Sequence, residues 1–217
     1  MRSRFDLSLY LVTDPAMTAA RGLVETVAAA LAGGVTMVQL RDKEGPARAL
    51  VEAGRALLAV LRPRGIPLLV NDRVDVAHAI GADGVHVGQD DLSPAAARTL
   101  LGPDAIIGLS LHAAAQQSTI GPEVDYVGIG PIFATGTKAD AAPALGIAGF
   151  ATLRSQIALP VVAIGGLTAA NTPEVIAAGA EGIAVVSAIC TATDPAAAAR
   201  ALRQAVEMGR NLRRIRR

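Results

Sequence analysis

The chain has 217 residues, 52% of them hydrophobic and only 2% aromatic, and carries a formal charge of +1. That length suits one α/β barrel-sized domain, and the near balance of charge argues against nucleic acid as a partner of its body. One cysteine, Cys190, excludes an internal disulfide, no apolar run approaches the roughly 18 residues that cross a bilayer, and residues 1–6 lack the apolar core of a secretory signal, so a cytoplasmic protein is expected.

In chain order, the first strand is expected at Leu9-Tyr10-Leu11-Val12, ended by Thr13-Asp14-Pro15. An Ala-rich helix over 23–31 follows and stops at Gly33-Gly34. Residues 36–40 form the second strand, running into Arg41-Asp42-Lys43, and a helix from Pro46 to Leu61 comes next. Leu68-Leu69-Val70 is a buried strand that breaks at Asn71-Asp72; a short helix over 73–80 and a strand over 84–87 complete a βαβ unit. That last strand breaks at Gln89-Asp90-Asp91, so two parallel strands deliver Asp72 and Asp91 to the same sheet edge.

Ser93-Pro94 opens a helix to Leu101, and residues 105–109 form a strand ending at Ser110. A helical piece over 112–119, a strand over 125–129, a loop from Gly130 to about Pro143 and a helix over 147–155 follow. Val161-Val162-Ala163-Ile164 ends in Gly165-Gly166, a helix runs from Thr172 to Ala178, and 182–186 is the last strand. Asp194-Pro195 opens the final helix, and the five arginines of 210–217 read as a flexible basic tail beyond the domain of residues 1–209. Eight strands alternating with helices predict a single (β/α)8 TIM barrel. A doubly wound sheet is the alternative, but no Gly-x-Gly-x-x-Gly follows the first strand. Near-copies at Ala32-Gly33-Gly34-Val35, Ile80-Gly81-Ala82-Asp83-Gly84 and Ala178-Gly179-Ala180-Glu181-Gly182 mark an internal period.

In such a barrel the chemistry gathers at the C-terminal strand ends. Only two of the 20 basic residues are lysine, Lys43 and Lys138, and both fall in strand-end loops, where a compact ammonium suits phosphate. Gly165-Gly166 and Val186-Ser187 follow the last two strands, where phosphate sites recur; the bland reading of the glycines is a tight turn. Asp72 could simply cap the helix behind it, but paired with Asp91 it suits Mg²⁺, which completes its shell with water and substrate phosphate. His78 reads as structural, His86 could face either side of its strand, and His112 is a candidate site residue. Cys190 is assigned no role.

Several stretches together resemble the thiamine phosphate synthase family: LYLVTD (9–14), VQLRDK (38–43), NDRVDVA (71–77), GVHVGQDDL (84–92) and GLSLH (108–112). GPIFATGTK (128–138 with the preceding Gly128-Ile129), AIGGL (163–167) and AVVSAI (184–189) extend the match from Tyr10 to about Ile189. Ala134 departs from the proline that many relatives carry there. The resemblance implies a transferase that condenses 4-amino-5-hydroxymethyl-2-methylpyrimidine diphosphate with a thiazole phosphate or its carboxylate, releasing pyrophosphate. It implies that Gln39, Leu40, Arg41, Asp42, Lys43, Asn71, Ser110 and Lys138 hold the pyrimidine diphosphate. Of these Arg41, Lys43, Ser110 and Lys138 would be catalytic. Thr135, Gly136, Thr137, Gly166, Val186 and Ser187 would hold the thiazole phosphate, with Mg²⁺ on Asp72 and Asp91. Small-molecule substrates are the expected partners, with a homo-oligomer possible and neither nucleic acid nor membrane involved. Two other functions fit the same barrel: a thiazole tautomerase-like isomerase, and a phospho-ligand binding protein without turnover.

Overall fold

The computed structural model describes residues 5–136 and 143–215. Eight parallel strands close into a barrel in sequence order. The elements are β1 (Leu9–Val12), α1 (Pro15–Thr18), α2 (Leu23–Ala32), β2 (Met37–Leu40), α3 (Ala47–Leu61), β3 (Leu68–Asn71), α4 (Val74–Ile80) and β4 (Gly84–Val87). Next come α5 (Pro94–Leu101), β5 (Ile106–Leu111), a 3-10 turn (Ala114–Thr119), β6 (Tyr126–Ile129) and α6 (Gly146–Arg154). The chain finishes through β7 (Val161–Ile164), α7 (Thr172–Ala177), β8 (Gly182–Val185), α8 (Ser187–Cys190) and α9 (Pro195–Ile215).

The strands are apolar on both faces because each is sandwiched between two cores. Tyr10, Val12, Met37, Leu69, Ile106, Tyr126, Val162 and Ala184 fill the barrel interior, and a larger aliphatic layer lies between barrel and helices. Three features depart from the sequence reading. β5 runs through Ser110 to Leu111, because the serine hydroxyl finds a partner inside the barrel. The four-residue helices α1 and α8 were not expected, being too short to show a period. The third is a correction: residues 210–215 are not a flexible tail but the end of α9. Arg210 donates to the Ser8 hydroxyl (2.5 Å) and the Glu181 carbonyl (3.1 Å), and Arg213 lies 4.0 Å from the Glu181 carboxylate. These partners sit on the first and last strands' approaches, far away in sequence, so local composition does not show them.

The N-terminal end of the barrel carries one device four times. Thr36 N donates to Leu9 O (2.9 Å) while Leu9 N donates back to the Thr36 hydroxyl (3.0 Å). Asp83 does the same with Leu68 (2.9 and 2.8 Å), Asp125 with Ile107 (2.8 and 2.8 Å), and Glu181 with Val161 (2.9 and 2.7 Å). Each clip ties an odd strand to the even strand after it and satisfies two backbone groups at a ladder end. An arginine from a helix or just past its end lies against each clip or the turn that leads into it. The stem of Arg203 lies over Gly34, Arg62 donates to Gly81 O (2.9 Å), Arg98 pairs with Asp125 (2.6 Å) and Arg154 pairs with Glu181 (2.9 Å). Across the alternate seams the strands meet through backbone bonds, such as Ile106 N to Asp83 O (2.8 Å) and Val127 N to Pro160 O (3.0 Å).

Candidate active site

A cavity of about 330 Å³ opens at the C-terminal ends of the strands. On β2 the alternation of side chains turns Gln39 and Arg41 into it and sends Leu40 outward into the helix layer. Lys43 reaches the rim, whereas Asp42 folds back to accept from Glu44 N (3.1 Å) and Gly45 N (2.8 Å), holding the loop in place. Asn71, Asp72, Asp91, Ser110, Thr135, Gly166, Val186 and Ser187 also line the cavity. Leu40, Asp42 and Gly136 do not, and Thr137 and Lys138 lie outside the described residues.

Asp72 is the one described non-glycine residue with positive φ (59°), a left-handed conformation that re-aims its side chain as the strand ends. Its N–H donates to His86 O (2.9 Å), its carboxylate accepts from Asn71 Nδ2 (2.6 Å), and Lys43 Nζ stands 4.0 Å away. It does not cap α4, which starts after Arg73 without a side-chain cap, so capping does not explain this aspartate. Burial, reinforced by the Asp91 carboxylate at hydrogen-bonding range, pushes Asp72 up to about 6. Asp91 is oriented by Gly88 N, which donates to it at 2.7 Å. Two hard carboxylate oxygens facing each other across a partly desolvated rim form a donor set that fits Mg²⁺. No third His, Cys, Asp or Glu joins them among the described residues.

On the neighbouring strand end, Arg41 is held 3.7 Å from Asp14, yet its buried Nε has no hydrogen-bond partner among the described residues. Gly165 (φ 100°) and Gly166 (φ 64°) do more than turn the chain. A Cβ on Gly165 would lie 2.6 Å from Pro131 Cβ, and one on Gly166 would lie 2.7 Å from Ala134 O, so both glycines let the loop after β6 cross the pocket mouth. Ser187 and Ala188 open α8 and line the same cavity, with first-turn N–H groups that no helical carbonyl can satisfy.

The cavity floor is a row of polar side chains of which the sequence reading named Gln39 and Ser110, left the direction of His86 open, and missed Tyr10 and Tyr126. Gln39 Nε2 donates to the Tyr10 hydroxyl (2.6 Å), which lies 3.0 Å from the Tyr126 hydroxyl. Tyr126 in turn lies 2.8 Å from His86 Nδ1, and His86 Nε2 lies 2.8 Å from Ser110 Oγ. Burial pushes both tyrosine hydroxyls well up from their ordinary value, so they stay protonated. Gly108 and Gly128 make the space: a Cβ on Gly108 would stand 2.3 Å from Tyr126 Cζ and 2.4 Å from His86 Nδ1. The available signal was a polar residue inside an otherwise apolar strand, repeated in β2, β4 and β5. His112 sits at the wall, its Nδ1 2.5 Å from Gly130 O, while His78 is exposed on α4. Cys190 is buried against Val12 O (3.7 Å) and its thiol is pushed up to about 11, which leaves it an inert filler.

Fold and pocket define a (β/α)8 barrel with a polar cavity at the C-terminal ends of its strands. The family model described as thiamine monophosphate synthase matches residues 9–189. A thiamine-phosphate synthase of Azorhizobium caulinodans is 64% identical over 95% of this chain and 98% of its own length. One from Xanthobacter autotrophicus is 58% identical over 95% and 98%. The solved thiamine phosphate pyrophosphorylase of Pyrococcus furiosus superposes with a TM-score of 0.83 at 37% identity, covering 94% of this chain and 96% of that one. The chain belongs to the thiamine monophosphate synthase family: it is a transferase that forms thiamine phosphate.

Proposed function

We propose that this pocket joins a pyrimidine diphosphate to a thiazole phosphate, with Arg41, Lys43, Asn71, Ser110 and Lys138 on the diphosphate, and Thr135, Thr137, Gly166, Val186 and Ser187 on the thiazole phosphate. The observation that carries this division is the convergence of Asp72, Asp91, Arg41 and Lys43 on one rim, across the cavity from the Gly166 and Ser187 turns. Asp72 and Asp91 are the residues that would hold Mg²⁺, and a bound Mg²⁺ would supply Lewis-acid charge against the departing diphosphate. Arg41 and Lys43 offset the same developing charge, and the Arg41 Nε, without a partner among the described residues, is a donor open to an anion. The pyrimidine C–O bond breaks, diphosphate takes the electron pair, and the thiazole nitrogen forms the new C–N bond. Gln39 sits below this point and orients the ring. A thiazole tautomerase-like isomerase would have no use for the acid pair.

Purified protein given both substrates and Mg²⁺ is expected to release thiamine phosphate and pyrophosphate in equal amounts. Asp72→Ala is expected to lower turnover by orders of magnitude while thiazole phosphate still binds, as followed by calorimetry. An unchanged rate in that variant would overturn the metal assignment, and binding of both ligands with no product from the unsubstituted protein would favour a binding protein without turnover.

A further inference from the structure

Asn171 immediately precedes α7, where an asparagine side chain ordinarily caps a helix by accepting from its first-turn N–H groups. Here it makes no such bond. Its Oδ1 turns back to accept from Thr168 N (2.8 Å), and its Nδ2 donates to Gly166 O (2.9 Å). A carbonyl can only accept and an N–H can only donate, so the direction of the amide is fixed at both ends. The side chain serves the turn after β7 and not the helix.

That turn separates Asn171 from the cavity: Gly165, Gly166 and Leu167 line the cavity, and Asn171 does not. The Gly166–Leu167 peptide is trans, so its C=O and N–H point in opposite directions. With the Gly166 carbonyl drawn back to Asn171, the Leu167 N–H is directed to the cavity side. The Leu167 side chain packs in the aliphatic layer outside the barrel, which leaves its backbone as the part that meets the cavity. Neither the Leu167 N–H nor the Gly166 N–H has a hydrogen-bond partner among the described residues, and Leu167 is buried. Buried backbone donors are nearly always paired, so this one is open to an acceptor that a ligand brings. Successive N–H groups at a left-handed glycine, here Gly166 with φ 64°, form a concavity that suits an anion.

We propose that the Leu167 N–H is a phosphate donor on the thiazole side of the pocket and that Asn171 is the positioning residue that aims it. Asn171 stays clear of the ligand and acts through one peptide plane. Without its amide, the Gly166 carbonyl is released, the plane can turn, and the donor leaves the phosphate. The inference rests on the placement of the thiazole phosphate proposed above.

The test measures, by calorimetry, affinity for thiazole phosphate and for the unphosphorylated thiazole alcohol in four proteins. These are the unsubstituted chain, Asn171→Ala, the chain with the Gly166–Leu167 amide replaced by an ester, and the double variant. The ester removes one N–H and leaves every side chain in place. It is expected to weaken binding of thiazole phosphate about tenfold or more, the size of one hydrogen bond to a charged group, and of the alcohol little. Asn171→Ala is expected to do the same, and to add little in the ester background, because the donor it aims is already gone. Affinity for the pyrimidine diphosphate should hold in all four. A merely structural asparagine would weaken both thiazoles alike. That result would overturn the proposal, as would equal costs of Asn171→Ala in the two backgrounds. Should Asn171→Ala fail to fold, Asn171→Asp keeps the acceptor for Thr168 N, gives up the donor to Gly166 O, and is read by the same cycle. Gly166→Ala separates the proposal from the placement beneath it, because its Cβ would crowd Ala134 O at 2.7 Å. If Gly166→Ala leaves thiazole phosphate affinity unchanged, the phosphate lies elsewhere and the proposal falls with the placement. If Gly166→Ala weakens it while Asn171→Ala and the ester do not, the placement stands and Asn171 has no part in it.

Discussion

Asp72, the proposed Mg²⁺ ligand, is a residue held in place at the expense of the fold. Its carboxyl is pushed up to about 6 by burial and by Asp91, above the ordinary 3.8, so the folded chain binds a proton there more tightly than the unfolded chain. The stability this group contributes is fully present below about 3.8 and is lost as pH rises through about 6. Asn keeps the shape, loses the charge and tolerates the left-handed backbone equally well. Asp72→Asn is therefore expected to raise Tm at pH 7, an effect discounted for partial exposure to about 1 kcal/mol or roughly 2–4 °C. The gain should vanish by pH 4, and turnover should fall by orders of magnitude at either pH. Thermal melts at the two pH values, alongside the rate assay, check both halves, and a lower Tm at pH 7 would contradict the electrostatic account.

At the scale of elements, the barrel is set by which side chains share a layer. β4, β5 and β6 interlock because Gly108 and Gly128 give up their side chains to the rings of His86 and Tyr126. Gly108→Ala places a methyl against both rings and is expected to cost about 1–3 kcal/mol and to weaken catalysis with it, measured by denaturant unfolding and kcat/KM. The clips at the other end behave differently. Asp83→Ala leaves Leu68 N–H without its acceptor and is expected to lower stability by about 1–3 kcal/mol with kcat/KM unchanged, since the clip lies at the opposite end of the strands from the pocket. The eight strands were legible because burial on both faces leaves continuous apolar runs, each broken by the polar residues of the site. So were Asp72, Asp91, Arg41 and Ser110 as pocket residues. The tyrosine row was not, because Tyr10 and Tyr126 are 116 positions apart and meet only through barrel closure. Leu40 and Asp42 came in with their motif, and only strand alternation and loop geometry separate them from their neighbours Gln39 and Arg41.

For the whole molecule, closure is the costly step. β1 pairs with β8, and α9 packs on α2 and α7, with Gly33 and Gly209 allowing close approach: a Cβ there would stand 2.3 Å from Ala196 O and 2.6 Å from Pro173 O respectively. The first strand therefore waits for the last helices before its ladder is complete, a non-local arrangement that slows folding. The basic end of α9 contributes through Arg210, which reaches Ser8 beside β1 and Glu181 beside β8. Its charge pattern was legible as exposed arginines, but its role in holding the barrel shut depends on contacts across nearly the full chain.

The fourfold clip has a consequence for how the barrel can be taken apart. Each clip binds a pair of strands, so the natural joints fall between pairs, and the joint between β4 and β5 divides the chain into two halves of like construction. Residues 1–103 and 104–217, expressed as separate polypeptides, are expected to copurify and regain synthase activity, with Arg98 of the first piece gripping Asp125 of the second. A cut inside a clipped pair, between β3 and β4, should leave pieces that do not complement. The repeats at Ala32-Gly33-Gly34, Ile80-Gly81-Ala82 and Ala178-Gly179-Ala180 fall inside three of the four clipped pairs, each just ahead of the pair's second strand, so the like construction of the parts is written in their interiors and the joints between them are left to vary.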